Sequence, residues 1–434
     1  MTYEHFMTRR ARLMQQIGEG VAILTTAPEQ VRNRDSHYPY RYDSSFYYLT
    51  GFTEPEAVIV LLAQSQRAIL FCREKDIERE IWDGFRYGPL AAAEIFGFDE
   101  AYPISEIDER MPKLMANQPS LHYALGADAA WDTRVLGWLN QVRNLARTGV
   151  HAPAQIRDVR VLVDEMRLFK DATEITLMQR AADISCGAHR RAMLATHAGG
   201  YEYQIEAELL HEFRRHGAQS PAYTSIVAGG ANACVLHYVD NNAQLNDGDL
   251  LLIDAGCELD GYAADITRTF PVNGRFVGAQ REVYQLVLAA QAAAIAAVHP
   301  QADWNHAHDA AVRVLVQGYL DLGLCQGSVD SIIESGDYRR FYMHKTGHWL
   351  GLDVHDVGDY KHADHWRTLQ AGMVLTVEPG CYIRPADNVP EAFWNIGIRI
   401  EDDVLVTTTG ATVLTAAAPK TVAEIEDLMQ QRSQ

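Results

Sequence analysis

Leu250-Leu251-Leu252-Ile253-Asp254-Ala255-Gly256 is an apolar run that closes on an acid, which is the pattern of a buried strand. Tyr262-Ala263-Ala264-Asp265-Ile266-Thr267-Arg268-Thr269-Phe270 reads as a second strand. Glu258-Leu259-Asp260-Gly261 lies between them, and its Asp-Gly pair signals a tight turn. A hairpin folded symmetrically about Leu259 and Asp260 sets Asp254 directly opposite Asp265. Opposed residues hold their Cβ atoms about 5 Å apart, where like charges repel. Two unpaired carboxylates in an apolar sheet would cost several kcal/mol. A bound cation removes that cost. The alternative is two surface acids on an exposed hairpin, and the leucine-rich run argues against it.

The pattern returns near the C-terminus. Met373-Val374-Leu375-Thr376-Val377-Glu378-Pro379-Gly380 is a strand ending in an acid, and Gly397-Ile398-Arg399-Ile400-Glu401-Asp402-Asp403 is a strand with an acid inside it. The loop between them holds the turn residues Pro385, Asn388 and Pro390. Folding about that loop brings Glu378 and Glu401 roughly opposite. Arg399 stands two residues before Glu401 and so shares its face. It is either a partner for a carboxylate or substrate carbonyl, or a surface arginine.

Between the two hairpins, Met343-His344-Lys345-Thr346-Gly347-His348-Trp349-Leu350-Gly351-Leu352-Asp353-Val354-His355-Asp356 packs three histidines into one apolar, glycine-bearing segment. Asp254, Asp265, His348, Glu378 and Glu401 are read together as a dinuclear metal site. Two divalent ions would neutralise four carboxylate charges, and such a pair with a shared water is suited to hydrolysis. Four carboxylates and one imidazole form an oxygen-rich donor set, which leans to Mn²⁺ over a structural Zn²⁺ site. The other two histidines are then free for proton transfer or for polarising a carbonyl. His237, in Val235-Leu236-His237-Tyr238, is a fourth candidate.

The blocks LLIDAGCELDGYAADITRTF, HKTGHWLGLDVHDVG, LTVEPGCYI and GIRIEDD resemble the signature of the pita-bread metallopeptidases. Within that group they are most similar to the proline-specific branch, the Xaa-Pro aminopeptidases (aminopeptidase P), with the prolidases close behind. RDSHYPYRYDSSFYYLTGFTEPEAVIVLL, EIWDGFRYGP and DEMRLFKDATEITLMQRA resemble the N-terminal domain and interdomain linker of that branch. The resemblance implies an α+β architecture, in which an N-terminal mixed α/β domain precedes a curved antiparallel sheet flanked by helices. It implies that Asp254 chelates one metal alone, that Asp265 and Glu401 bridge both, and that His348 and Glu378 complete the other. It further implies that His344 and His355 hold the substrate carbonyl or tetrahedral intermediate, and that His237 contacts substrate beside the scissile bond. Tyr223 matches a tyrosine near the singly chelated metal. Tyr382 and Arg399 match supporting or gating positions. Trp82 matches an aromatic that covers the proline pocket from another subunit, and Arg147 a subsite arginine. A covering Trp82 requires a homo-oligomer, a dimer or a tetramer.

At 434 residues the length suits two domains, which the patterns divide as 1–168 and 169–434. The runs at 21–24, 46–49, 57–62 and 68–71 read as strands, and those near 104–115, 133–145 and 158–169 as helices. Asp171-Ala172-Thr173-Glu174 offers an N-cap with an acidic first turn, and further helices are expected near 203–216 and 283–298. The net charge of -19 disfavours nucleic acid and anionic membrane as partners. The first ten residues hold no long apolar stretch, so no signal peptide is expected. Six scattered cysteines without a CxxC pair suit buried thiols in a reducing cytoplasm. Three functions remain open: an aminopeptidase acting on peptides with proline second, a prolidase limited to Xaa-Pro dipeptides, and a peptide-binding module without catalysis. The long N-terminal half favours the first.

Overall fold

The structure is a computed structural model and describes residues 2–431. The chain divides into two compact units, Met1–Arg167 and Leu168–Gln434.

The first unit is built on a six-stranded mixed sheet. Its strands run Glu100–Pro103, Arg67–Cys72, Val58–Leu62, Val21–Thr25, Ser120–His122 and Gln155–Arg157 across the sheet. The two pairs that involve Val58–Leu62 are antiparallel and the other three are parallel. Val58, Val60, Ile69 and Phe71 on the sheet pack with Met111, Met115, Trp138 and Leu139 from two helices, Ile107–Met115 and Ala129–Asn144. The stretch 46–49, expected as a strand, lies instead in the helix Ser44–Thr50. Asp43 caps that helix by accepting the Phe46 N–H at 2.7 Å, and Gly51 closes it in the left-handed conformation at φ 67°. Two caps outweigh the β preference of the aromatic run.

In the second unit the helices Ala172–Ala195, Glu202–Arg215, Gly278–Ala296 and His306–Asp321 contribute to the same apolar core as the strand pairs. The first of them starts where expected, with Asp171 and Glu174 forming a reciprocal capping box.

The first acid-bearing hairpin differs from expectation in register. Leu259 pairs with Tyr262 and Glu258 with Ala263, and further along Asp254 pairs with Thr267. Asp254 is therefore not opposite Asp265. The cause is the turn. Asp260 (φ 49°) and Gly261 (φ 84°) both take positive φ, as a two-residue turn of the primed type requires. The fold axis runs between these two residues, one position later than Leu259 and Asp260 would place it. The partner of Asp254 then moves by two, which keeps the same face of the strand.

Both hairpins also change sheet where their acids stand. Leu250–Asp254 pairs with Thr267–Pro271 in one sheet, whereas Cys257–Leu259 pairs with Tyr262–Ala263 in another. At the crossing a Cβ on Gly256 would overlap the Ala264 carbonyl oxygen, so only glycine fits there. Val374–Val377 pairs with Asp402–Val406, and Gly380–Ile383 with Ile396–Arg399. The register is continuous across that break and sets Glu378 opposite Glu401. All four acids thus sit at or beside positions where the ladder is interrupted.

Candidate metal centre

The four acids and His348 line one cavity of about 450 Å³ in the second unit. Asp265 is 5% exposed and Glu401 2%. One donor atom each from Asp265, His348 and Glu401 lies within 4.8 Å of the others. His348 Nε2 is 3.4 Å from Asp265 Oδ2 and 3.8 Å from Glu378 Oε1. The segment carrying His348 is locked to the second hairpin, because the Thr376 N–H donates to the His348 carbonyl and the Glu378 N–H to that of Thr346. Gly347 allows this approach, since a Cβ there would overlap the Thr376 carbonyl oxygen.

The electrostatics are those of crowded acids. Burial, and then the neighbouring carboxylates, push Asp254, Glu378 and Glu401 towards the protonated form. Asp265 goes the other way: burial opposes its charge, but the hydrogen bond and charge of His348 hold it down. His348 is raised in return, its own burial being outweighed by Asp265 and Glu378. The Tyr223 hydroxyl lies 2.5 Å from Asp254 Oδ1 and 2.6 Å from Asp265 Oδ1. It has one proton and can donate to one of them at a time. Carboxylates gathered this tightly fit divalent cations, which supply the positive charge that the side chains lack.

Arg399 braces the cluster. Its Nη2 donates to Asp254 Oδ2 at 2.6 Å, its Nε to Thr267 Oγ1 at 3.0 Å, and its Nη1 to the Tyr382 hydroxyl at 3.0 Å. Thr267 passes the contact on, donating to Glu401 Oε2 at 2.6 Å. His344 stands beyond Tyr382. Its Nδ1 lies 2.7 Å from the Lys345 carbonyl and its Nε2 2.9 Å from the Tyr382 hydroxyl. The carbonyl can only accept, so Nδ1 carries the proton and Nε2 accepts from the tyrosine. Burial, then the charge of Arg399, lowers the His344 pKa to about 3, so the ring is neutral at neutral pH. Bound cations would push it the same way.

His237, His355, Tyr223 and Arg399 also line the cavity, and the His355 ring packs edge-on to His348 at 4.3 Å. Tyr382 is fully buried behind it. Trp82 and Arg147 belong to the first unit and are not among the described residues that line the cavity. Trp82 is 84% exposed on the helix Ile77–Asp83. Sequence reasoning missed two residues that hold the acids in place. Thr267 was readable, because it stands two positions from Asp265 on one strand face. Asp403 was not. Its carboxylate accepts the Asp265 N–H, with both oxygens at 3.2 Å, and this depends on the switch between sheets.

Comparison with known proteins follows the same division. Residues 176–408 match the model of metallopeptidase family M24, and residues 6–123 match that of the aminopeptidase P N-terminal domain. The chain is 48% identical to the Xaa-Pro aminopeptidase of Haemophilus influenzae over 429 residues, which cover 98% of this chain and 97% of that protein. It is 46% identical to the Xaa-Pro aminopeptidase of Escherichia coli over 430 residues, with coverages of 98% and 97%. The solved structure of a Pseudomonas aeruginosa aminopeptidase matches with a TM-score of 0.98 at 49% identity, covering 100% of this chain and 99% of that one. Zinc-substituted Escherichia coli aminopeptidase P in complex with product matches at 0.97 and 46%, with coverages of 100% and 99%. The architecture, an N-terminal α/β domain followed by a pita-bread domain, is the one these structures share. On the fold, the site and this likeness over its whole length, the chain belongs to the aminopeptidase P branch of metallopeptidase family M24.

Proposed function

We propose that the protein is a metal-dependent aminopeptidase that hydrolyses the bond before proline in peptides with proline second. The observation that carries this reading is the convergence of Asp254, Asp265, His348, Glu378 and Glu401 on one cavity that also holds His237, His344 and His355. Asp254, Asp265 and Glu401, with His348 and Glu378, are the residues that would hold two divalent cations. The oxygen-rich donor set favours Mn²⁺. When bound, such a pair supplies Lewis-acid stabilisation and lowers the pKa of water so that hydroxide is available near neutral pH.

The chain's own groups do the rest. Glu378 faces the cavity and is within 3.7 Å of His344 Nδ1. Its carboxylate can take a proton from the attacking water and deliver it to the leaving nitrogen. That nitrogen needs it, because an amide nitrogen leaves as an amine only once it has gained a proton. Arg399 keeps Asp254 and Tyr382 in place. His237 and His355 line the cavity, and a neutral imidazole there can hold a peptide carbonyl or its oxyanion.

A homo-oligomer belongs to the same proposal, with Trp82 and Arg147 acting in the substrate site of an assembly. Ile77, Ile81, Trp82, Phe85 and Leu90 are all exposed in the first unit, an apolar surface that favours burial against another chain. Six buried, unpaired cysteines suit a reducing cytoplasm. Among the described residues no helix is long and apolar enough to cross a membrane.

The test is a matched peptide pair assayed with metal present, one with proline second and one with alanine there. Cleavage of the proline peptide before proline, with the alanine peptide slower by at least tenfold, is expected. Equal cleavage of both, or of neither, overturns the reading.

A further inference from the structure

Glu202 is fully buried and its carboxylate is met by neutral donors. Oε1 accepts from the Gly229 N–H at 2.7 Å and from Asn232 Nδ2 at 3.0 Å. Oε2 accepts from the Tyr238 hydroxyl and from the Ala243 N–H, both at 2.8 Å. The Glu202 N–H in turn donates to the Ala243 carbonyl at 3.0 Å. These partners span residues 229–243. Beyond the short 3-10 turn Gly230–Cys234, residues 235–243 have no regular secondary structure. Yet this loop is a wall of the site, with Leu236, His237 and Val239 lining the cavity.

One turn along the same helix, Glu206 Oε2 accepts from Asn241 Nδ2 at 3.0 Å. Asn241 holds positive φ and ties back to strand Ile226–Gly229 by accepting the Val227 N–H at 2.9 Å. Two carboxylates at helical spacing therefore fasten the wall. None of their partners is one of the five proposed metal ligands. A loop without its own ladder stays in one place only if such contacts hold it. Four donors around one side chain need the four acceptor positions of a carboxylate; a glutamine offers half as many.

We infer that Glu202 is a positioning residue: it sets the place of His237 and the adjoining wall, and through them how tightly peptide is held, while the metal ligands keep their own supports. This rests on the peptidase reading above.

The experiment uses the metal-loaded full chain with Glu202→Gln and, as the milder change, Tyr238→Phe. Hydrogen exchange should quicken across 235–243 in both variants and stay unchanged in strand Leu250–Asp254. With a proline-second peptide, KM should rise about fivefold or more and kcat stay within about twofold, the sign of lost substrate binding. In a His237→Ala background the Glu202→Gln effect should largely vanish, since residues acting through one another are not additive. Unchanged exchange at 235–243 with an active wild type overturns this inference alone. So does a full-sized Glu202→Gln effect in the His237→Ala background, or a fall in kcat with KM unmoved. A wild type that cleaves no proline-second peptide overturns the peptidase reading with it, whatever the exchange reports.

Discussion

Arg399 Nη2 lies 2.6 Å from Asp254 Oδ2, although 145 residues separate them in the chain. The contact ties the second hairpin to the first, and the same guanidinium reaches Thr267 and Tyr382. Both partners of the ion pair are largely shielded, at 5% and 13% exposure. A lysine has one charge centre and cannot reproduce the fork. Arg399→Lys should therefore lower kcat/KM by about 10- to 100-fold, the range for losing a group that orients a metal ligand. Steady-state kinetics at saturating metal check this, and wild-type kcat/KM in the variant would contradict it.

Of the four site acids, Asp265 and Glu401 are the most buried, and with His348 they bring donor atoms within 4.8 Å of one another. Asp265→Asn or Glu401→Gln should reduce bound metal below two ions per chain. Activity should fall by at least about 100-fold, because a metal-assisted hydrolysis loses its nucleophile and its Lewis acid together. Elemental analysis of the dialysed variants, beside their turnover, measures both effects.

Lys170 Nζ and Asp356 Oδ2 form a buried pair at 2.9 Å, each side chain 1% exposed. Asp356 follows His355 directly, so the pair anchors the segment that carries that ring. Lys170→Met removes the buried ammonium from the Asp356 carboxylate and should cost about 1.5–3 kcal/mol. The double variant Lys170→Met/Asp356→Leu should recover part of that loss. Urea unfolding midpoints of the single and double variants decide it.

His189 is fully buried, with Nε2 2.9 Å from the Ala255 carbonyl. Burial depresses its pKa to about 4, so the native ring stays neutral where an unfolded one, titrating near 6.5, is charged. The unfolded state binds the extra proton, and stability falls as pH drops from about 6.5 towards 4. The loss amounts to about 1.4 kcal/mol per pH unit within that window. His189→Gln removes the titration. The stability difference between wild type and variant should shift by about 3 kcal/mol between pH 7 and pH 4 in favour of the variant. A difference independent of pH would contradict the buried neutral ring.

The acids and their strands were legible because a carboxylate ending an apolar run has few explanations. Glu378 and Glu401 face each other as their flanks suggested. Asp254 and Asp265 do not, since Asp260 and Gly261 form the turn as a pair and move the register by two. Residues 46–49 misled because aromatic runs favour strands, whereas the caps at Asp43 and Gly51 decide the helix. Glu202 gave no signal at all. An acid in the first turn of a helix is ordinary in sequence, and its four donors lie 27 to 41 residues away.

The most direct test of the central claim is a substrate pair assayed on chelator-stripped protein, before and after Mn²⁺ is restored. One substrate is a tripeptide with proline second, the other the matching Xaa-Pro dipeptide. The account predicts no turnover without metal, and release of the first residue from the tripeptide once metal returns. Cleavage of the dipeptide alone would make the enzyme a prolidase, and turnover undiminished by chelation would contradict the metal centre itself.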